Sequence, residues 1–205
     1  VLKCIRDFLW HKQKIKELVM TEKYENEAHQ KPVGKMSPDE INIFLEKGYT
    51  LRLSCLKPNG DPFIVPCWHH WEKNNEKSSE EKIEGDFYVI PRAKSKWAEY
   101  LDNDSRCSWV IDDEHTMEKV LCEGHAEKIE EMVIEGQWVD IAEKMAIRYL
   151  GPDGPKYLKP TLNQPRWLFK LIPKKLRSWQ GVGWAKSYWV KDTGGPSWQE
   201  AHKKN

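Results

Sequence analysis

The sequence predicts a mainly β domain with helices (α+β): a small closed barrel of about six antiparallel strands. Three observations carry this. Short apolar-alternating runs are separated by turn residues rather than by helices, which argues against a parallel sheet. An Asn59-Gly60 pair between two such runs is a two-residue hairpin signal. Only a few segments carry a helical period, and none alternates regularly with strands.

The elements follow in order. Residues 1–35 form an N-terminal helix and arm: Ile5, Phe8, Leu9, Ile15, Leu18 and Val19 share a helical face. Met20 opens a stretch that reads like a natural beginning, so 1–19 is expected to be an alternative start or an extension. Residues 21–35 are polar and contain Pro32 and Gly34, as a linker would. "SPDEINIFLEKG" then has Ser37 as N-cap, Pro38 at the first position, Glu40 to complete a capping box and Gly48 as the stop.

"YTLRLSCL" and "FIVPCWHHW" flank the hairpin turn as the first two strands. Alternation puts Phe63, Val65, Cys67, His69 and Trp71 on one face of the second, and Ile64, Pro66, Trp68 and His70 on the other. Pro66 implies an edge, a bulge or a place where a ligand interrupts the ladder. After a charged loop over 72–84 come the strand "GDFYVI", the short helix "PRAKSKWAEYLDND", and the strands "RCSWVIDD" and "EKVLCEGHAEKIE". The helix "IEGQWVDIAEKMAIRYLG" lines up Ile134, Trp138, Ile141, Met145 and Tyr149, and Gly151-Pro152 ends it. "RWLFKLIP" and "KKLRSWQG" are two final strand-like segments, and 190–205 reads as a flexible tail. The main domain is thus 36–189.

The 205 residues carry 33 basic and 32 acidic side chains. That balance gives no global basic field for nucleic acid. No apolar run approaches the ~18 residues of a membrane helix. The five cysteines, Cys4, Cys55, Cys67, Cys107 and Cys122, make no CxxC pair. They read as buried free thiols of a reducing cytoplasm.

The segment "PRAKSKWAEYL" looks most functional. Arg92, Lys94, Ser95 and Lys96 cluster where a helix begins. Free N–H groups and the helix dipole favour an anion there, and cations at that end are unfavourable without one. Phosphate binding or a solvated basic turn both fit the spacing. His69-His70 are strand neighbours facing opposite ways, so they cannot readily chelate one ion, and no metal is expected. Cys122 and His125 likewise face apart and make no nucleophile–base pair. A dinucleotide loop, a P-loop and a GxSxG elbow are missing.

These segments together resemble the pyridoxamine 5′-phosphate oxidase-like, FMN-binding split-barrel superfamily, over roughly residues 36–185. The junction Ser95-Lys96-Trp97-Ala98-Glu99-Tyr100-Leu101, followed by Asp104-Ser105-Arg106, is similar to the superfamily's phosphate-binding element. Trp97 stands where a basic residue is usual, which leaves open which of Arg92, Lys94 and Lys96 holds the phosphate. "FIVPCW" resembles the strand running beside the isoalloxazine ring, and Trp179-Gln180-Gly181 resembles the final strand whose tryptophan lies near the flavin. The residues that follow, Ala185-Lys186-Ser187-Tyr188-Trp189, do not match the oxidases' substrate grip, which argues against oxidation of pyridoxamine phosphate.

The resemblance implies a homodimeric split barrel with two cofactor sites at the subunit interface. The implied cofactor is FMN, or alternatively a deazaflavin coenzyme. The implied activity is a flavin-type oxidoreductase acting on a small molecule; the alternative is a flavin- or haem-binding protein without turnover. Cofactor contacts would come from Ile64, Val65, Pro66, Cys67, Ile90, Pro91, Arg92, Lys94, Ser95, Lys96 and, from the other subunit, Trp179. Trp68 and His70 would stand on the substrate side.

Overall fold

The computed structural model describes residues 32–182. The expected N-terminal helix, most of the arm, Ala185–Trp189 and the tail lie outside the described residues.

Helix α1 (Pro38–Leu45) starts as its cap residues require. Ser37 Oγ accepts from Glu40 N–H, and Glu40 Oε2 accepts from Ser37 N–H at 2.7 Å. Ile41, Phe44 and Leu45 are buried. The helix ends before Gly48, whose role is a close approach: a Cβ there would lie 3.0 Å from the Arg148 carbonyl oxygen.

Strands β1 (Leu51–Leu56), β2 (Pro62–Cys67), β3 (His70–Lys73), β4 (Gly85–Val89), β5 (Arg106–Asp112), β6 (Lys119–Val133) and β7 (Arg166–Trp179) form one antiparallel sheet. Their order is β2-β1-β5-β6-β7-β4-β3. Helix α2 (Lys96–Asn103) lies between β4 and β5. Helices α3 (Gln137–Leu150) and α4 (Gly154–Leu158) and a 3₁₀ turn (Lys159–Thr161) lie between β6 and β7.

The two edges of this sheet, β2 and β3, are consecutive in the chain and joined by Trp68 and His69 alone. Across so short a link the edges stay within about 10 Å, so the sheet must curl round on itself. The closed barrel expected from the sequence is therefore open at one seam. The reason is local: His69 N–H donates to the Tyr149 hydroxyl at 3.2 Å instead of to a strand, which splits "FIVPCWHHW" in two. That split gives seven strands rather than about six. Pro66 sits on an edge strand, where its missing N–H costs no ladder bond.

The two last strand-like segments are one strand. Its register against β6 shifts between Glu123 and Gly124, and Pro173 pairs with Gly124 there. A Cβ at Gly124 would lie 2.1 Å from the Ile172 carbonyl oxygen, so only glycine fits the bulge.

The barrel interior is filled by Leu51, Leu53, Phe87, Trp109, Ile111, Val120, Phe169 and Leu171, all at most 3% exposed. Phe87 and Trp109 meet edge to face at 5.3 Å. A second cluster lies under α3 and α4, built on Trp138, Ala142, Ala146, Leu158 and Leu168. α3 buries Trp138 and Met145 of the expected face, but Ile134 precedes the helix and is exposed. The thiols of Cys55, Cys67, Cys107 and Cys122 are unpaired. Burial pushes Cys67 and Cys107 up to about 12. Among the described residues no helix is long and apolar enough to cross a membrane.

Candidate functional site

The segment after β4 does not go straight into α2. It is first strapped to the start of β7: Trp167 N–H donates to Pro91 O and Ala93 N–H to Pro165 O, both at 3.0 Å. Arg92 and Arg166 face each other across this single antiparallel bridge. Opposite residues of such a bridge direct their side chains to one side. Beside the strap lies a cleft of about 420 Å³.

Three walls close the cleft. Pro66, Cys67 and Trp68 come from the end of β2 and the seam. Ile90, Pro91, Arg92, Ser95 and Trp97 come from the β4–α2 junction. Ala142 and Met145 of α3, Tyr157 and Leu158 of α4, Thr161 and Arg166 make the third. The structure thus brings together seven residues expected at the site: Pro66, Cys67, Trp68, Ile90, Pro91, Arg92 and Ser95.

The remaining candidates lie elsewhere. Lys94 and Lys96 are exposed and do not line the cleft, nor do Ile64 and Val65. His70 Nδ1 accepts from Arg148 Nη2 at 3.1 Å. Trp179 ends the 14-residue strand that Arg166 begins, about 40 Å away at ~3.3 Å per residue. Within one chain it is remote from the cleft.

The cleft is polarised. Ser95 caps α2 with extended backbone, yet its side chain makes no capping bond, so the hydroxyl is left for another partner. Arg166 is 9% exposed, its Nη2 donates to Thr161 Oγ1 at 2.9 Å, and its guanidinium lies 5.3 Å from the Trp138 ring centre. Its buried Nε has no partner. Burial, and then the positive charge of Arg92, pull its pKa down. Among the described residues the lining contains no Asp or Glu. Among the described residues neither arginine has a carboxylate ion pair.

Trp68 is held from behind. Its ring stacks on Tyr149 at 4.7 Å and 8°. Burial, and then Arg148, lower the pKa of His69 to about 3 and of His70 to about 4, so both are neutral at pH 7.

The sequence matches no family model and no curated protein. Solved structures do resemble it. A conserved hypothetical protein from Mycobacterium tuberculosis is 24% identical with a TM-score of 0.55, over 74% of this chain and 89% of that one. HutZ, the heme storage protein from Vibrio cholerae, is 19% identical with a TM-score of 0.50, over 70% and 96%. The chain shares its split-barrel fold with these structures. An F420 reductase aligns more loosely, at 16% identity and a TM-score of 0.47, over 66% and 94%.

Within this split barrel, sequence reading missed Arg166, Thr161, Tyr157 and Met145 at the cleft. One signal stood in the sequence for Arg166: a charged residue heading the apolar run Trp167-Leu168-Phe169. The others arrive by the packing of α3 and α4, which no local pattern announces.

Proposed function

We propose that the split barrel is a flavin-type oxidoreductase whose cofactor, FMN or a deazaflavin, lies in the 420 Å³ cleft. The observation that carries the reading is convergence. Residues far apart in sequence meet in one cleft that has aromatic and apolar walls and positive groups without an internal acid. Arg92, the free Ser95 hydroxyl and the first N–H groups of α2 suit a phosphate. Pro66, Cys67, Ile90 and Pro91 give an apolar wall for a planar ring. The cofactor would supply hydride transfer; the protein would supply grip, orientation and exclusion of water. Among the described residues the lining holds no histidine, the commonest haem ligand, which favours the flavin reading over the haem alternative.

A homodimer belongs to the same reading. It would cover edge strand β2, whose Ile64 is 67% exposed, and bring Trp179 of the second subunit toward the cleft. The unpaired thiols support a reducing, cytoplasmic setting.

The test is an absorbance spectrum of the purified protein, followed by titration with FMN and the deazaflavin. Saturable binding is expected, weakened about tenfold or more in R92A. K94A/K96A should change affinity little, since neither lysine lines the cleft. A cofactor that binds but that no nicotinamide donor reduces would favour the non-catalytic alternative. Colourless protein that binds neither coenzyme would overturn the reading.

A further inference from the structure

The Arg166 guanidinium has a position that fold stability does not explain. It heads β7, outside the strand–helix junction that the resemblance marks for phosphate. It is nine-tenths buried, its Nε is unpartnered, and its one hydrogen bond goes to a neutral hydroxyl. A second guanidinium, Arg92, faces it across the strap and disfavours its charge. A buried charge without a counter-charge is among the most costly arrangements in a protein, and a charge beside a like charge is worse. Replacement by an apolar residue would relieve that cost. The Trp138 ring beneath it offsets only part.

We propose that Arg166 is an oxyanion-binding residue, and that with Arg92 it makes the cleft select a dianionic group such as a terminal phosphate monoester. Among the described residues the lining carries two positive charges and no acid, so one negative charge leaves the pair of guanidiniums under-compensated. Thr161 Oγ1 turns the guanidinium through Nη2; Nε is buried, so the donor left for a ligand in the cleft is Nη1. Ser95, on the same cleft wall as Arg92, adds a neutral donor. A monoester dianion offers three oxygens to these groups; a phosphodiester or a carboxylate offers two and half the charge.

The cofactor reading enters only as the source of that dianion, so the probe is inorganic. Thermal unfolding of the full chain is followed with phosphate, sulfate or acetate at matched ionic strength. Phosphate and sulfate should raise Tm, and acetate should not. In R166M the anion-free Tm should hold or rise, because a buried unpaired charge is gone, while the phosphate-induced rise disappears. R166K should keep part of that rise. FMN should bind R166M at least about tenfold more weakly than the parent.

An R166M protein that keeps the phosphate-induced rise would overturn the proposal. So would an R166M protein markedly less stable without anion, since that would make Arg166 a structural residue. A parent protein indifferent to phosphate would overturn it as well. Stabilisation by phosphate without binding of FMN or deazaflavin would leave this inference standing and remove the cofactor reading instead.

Discussion

Tyr149→Phe removes one oxygen atom and should loosen the seam of the barrel. That hydroxyl donates to Tyr49 O at 2.7 Å, accepts from His69 N–H at 3.2 Å, and lies 2.9 Å from His69 Nδ1. A phenol has one proton to give, and here Tyr49 O takes it. Whether His69 Nδ1 donates or accepts in its contact with the Tyr149 hydroxyl is set by the imidazole tautomer. The substitution leaves His69 N–H, His69 Nδ1 and Tyr49 O without this partner, and His69 is fully buried. At about 1–3 kcal/mol for each buried polar group left unsatisfied, with partial relief by water at the half-buried tyrosine, the loss should be about 2–3 kcal/mol. For a chain of this size that lowers Tm by about 5–10 °C. The assay is urea unfolding at constant m-value, followed by tryptophan fluorescence. Tyr149→Phe keeps the ring behind Trp68, so cofactor affinity should change little; Tyr149→Leu removes the stack and should weaken both. A loss under about 0.5 kcal/mol in Tyr149→Phe would show that the hydroxyl does not hold the link, and would refute this account of the seam.

Two further outcomes follow from the same geometry. Stability should fall as pH drops from 6.5 toward 4, because His69 and His70 are held neutral, with pKa values near 3 and 4 against 6.5 when unfolded. The sign is set by proton count: in that window the unfolded chain binds more protons, so lower pH favours it. Histidine-to-glutamine replacement at both positions should flatten that limb of a pH–stability curve. Gly124→Ala should cost about 2–3 kcal/mol in urea unfolding, since its methyl would meet the Ile172 carbonyl oxygen at 2.1 Å and backbone cannot rotate away.

What the sequence made legible was whatever short-range chemistry decides. The capping box of α1, a hairpin at Asn59-Gly60 (with a loop over 57–61 instead of the two residues expected), Pro66 on an edge strand and the strand–helix junction at Ser95 each depend on a few neighbouring residues. The junction, together with Pro66, Cys67 and Trp68, also located half of the cleft lining. The errors came where distant groups override alternation. "FIVPCWHHW" has an unbroken period of two, but a tyrosine 80 positions away takes the His69 N–H and splits it. "RWLFKLIP" and "KKLRSWQG" look like two strands because Pro173 interrupts them, yet Gly124 on the partner absorbs the extra residue in a bulge. Lys94 and Lys96 satisfied the charge pattern of a phosphate grip. The strap to β7 instead sets Arg92, itself exposed, and Ser95 on the cleft wall and supplies Arg166 from the far side.

The same helix serves both the seam and the cleft, and this couples them. Ala142 and Met145, in the middle of α3, wall the cleft. One turn later Arg148 donates to His69 O at 3.2 Å and pairs with His70, and Tyr149 stacks on Trp68. The two-residue link that stands in for a missing row of ladder bonds is therefore also a wall of the cleft, through Trp68. A fully hydrogen-bonded barrel would place residues 68 and 69 in a continuous strand, with alternate side chains turned inward and outward. Opening the ladder at this one place lets Trp68 lie against Tyr149 and face the cleft, while His69 drops into the core. The open seam is thus a condition for the site: restoring regular pairing there would remove its aromatic wall.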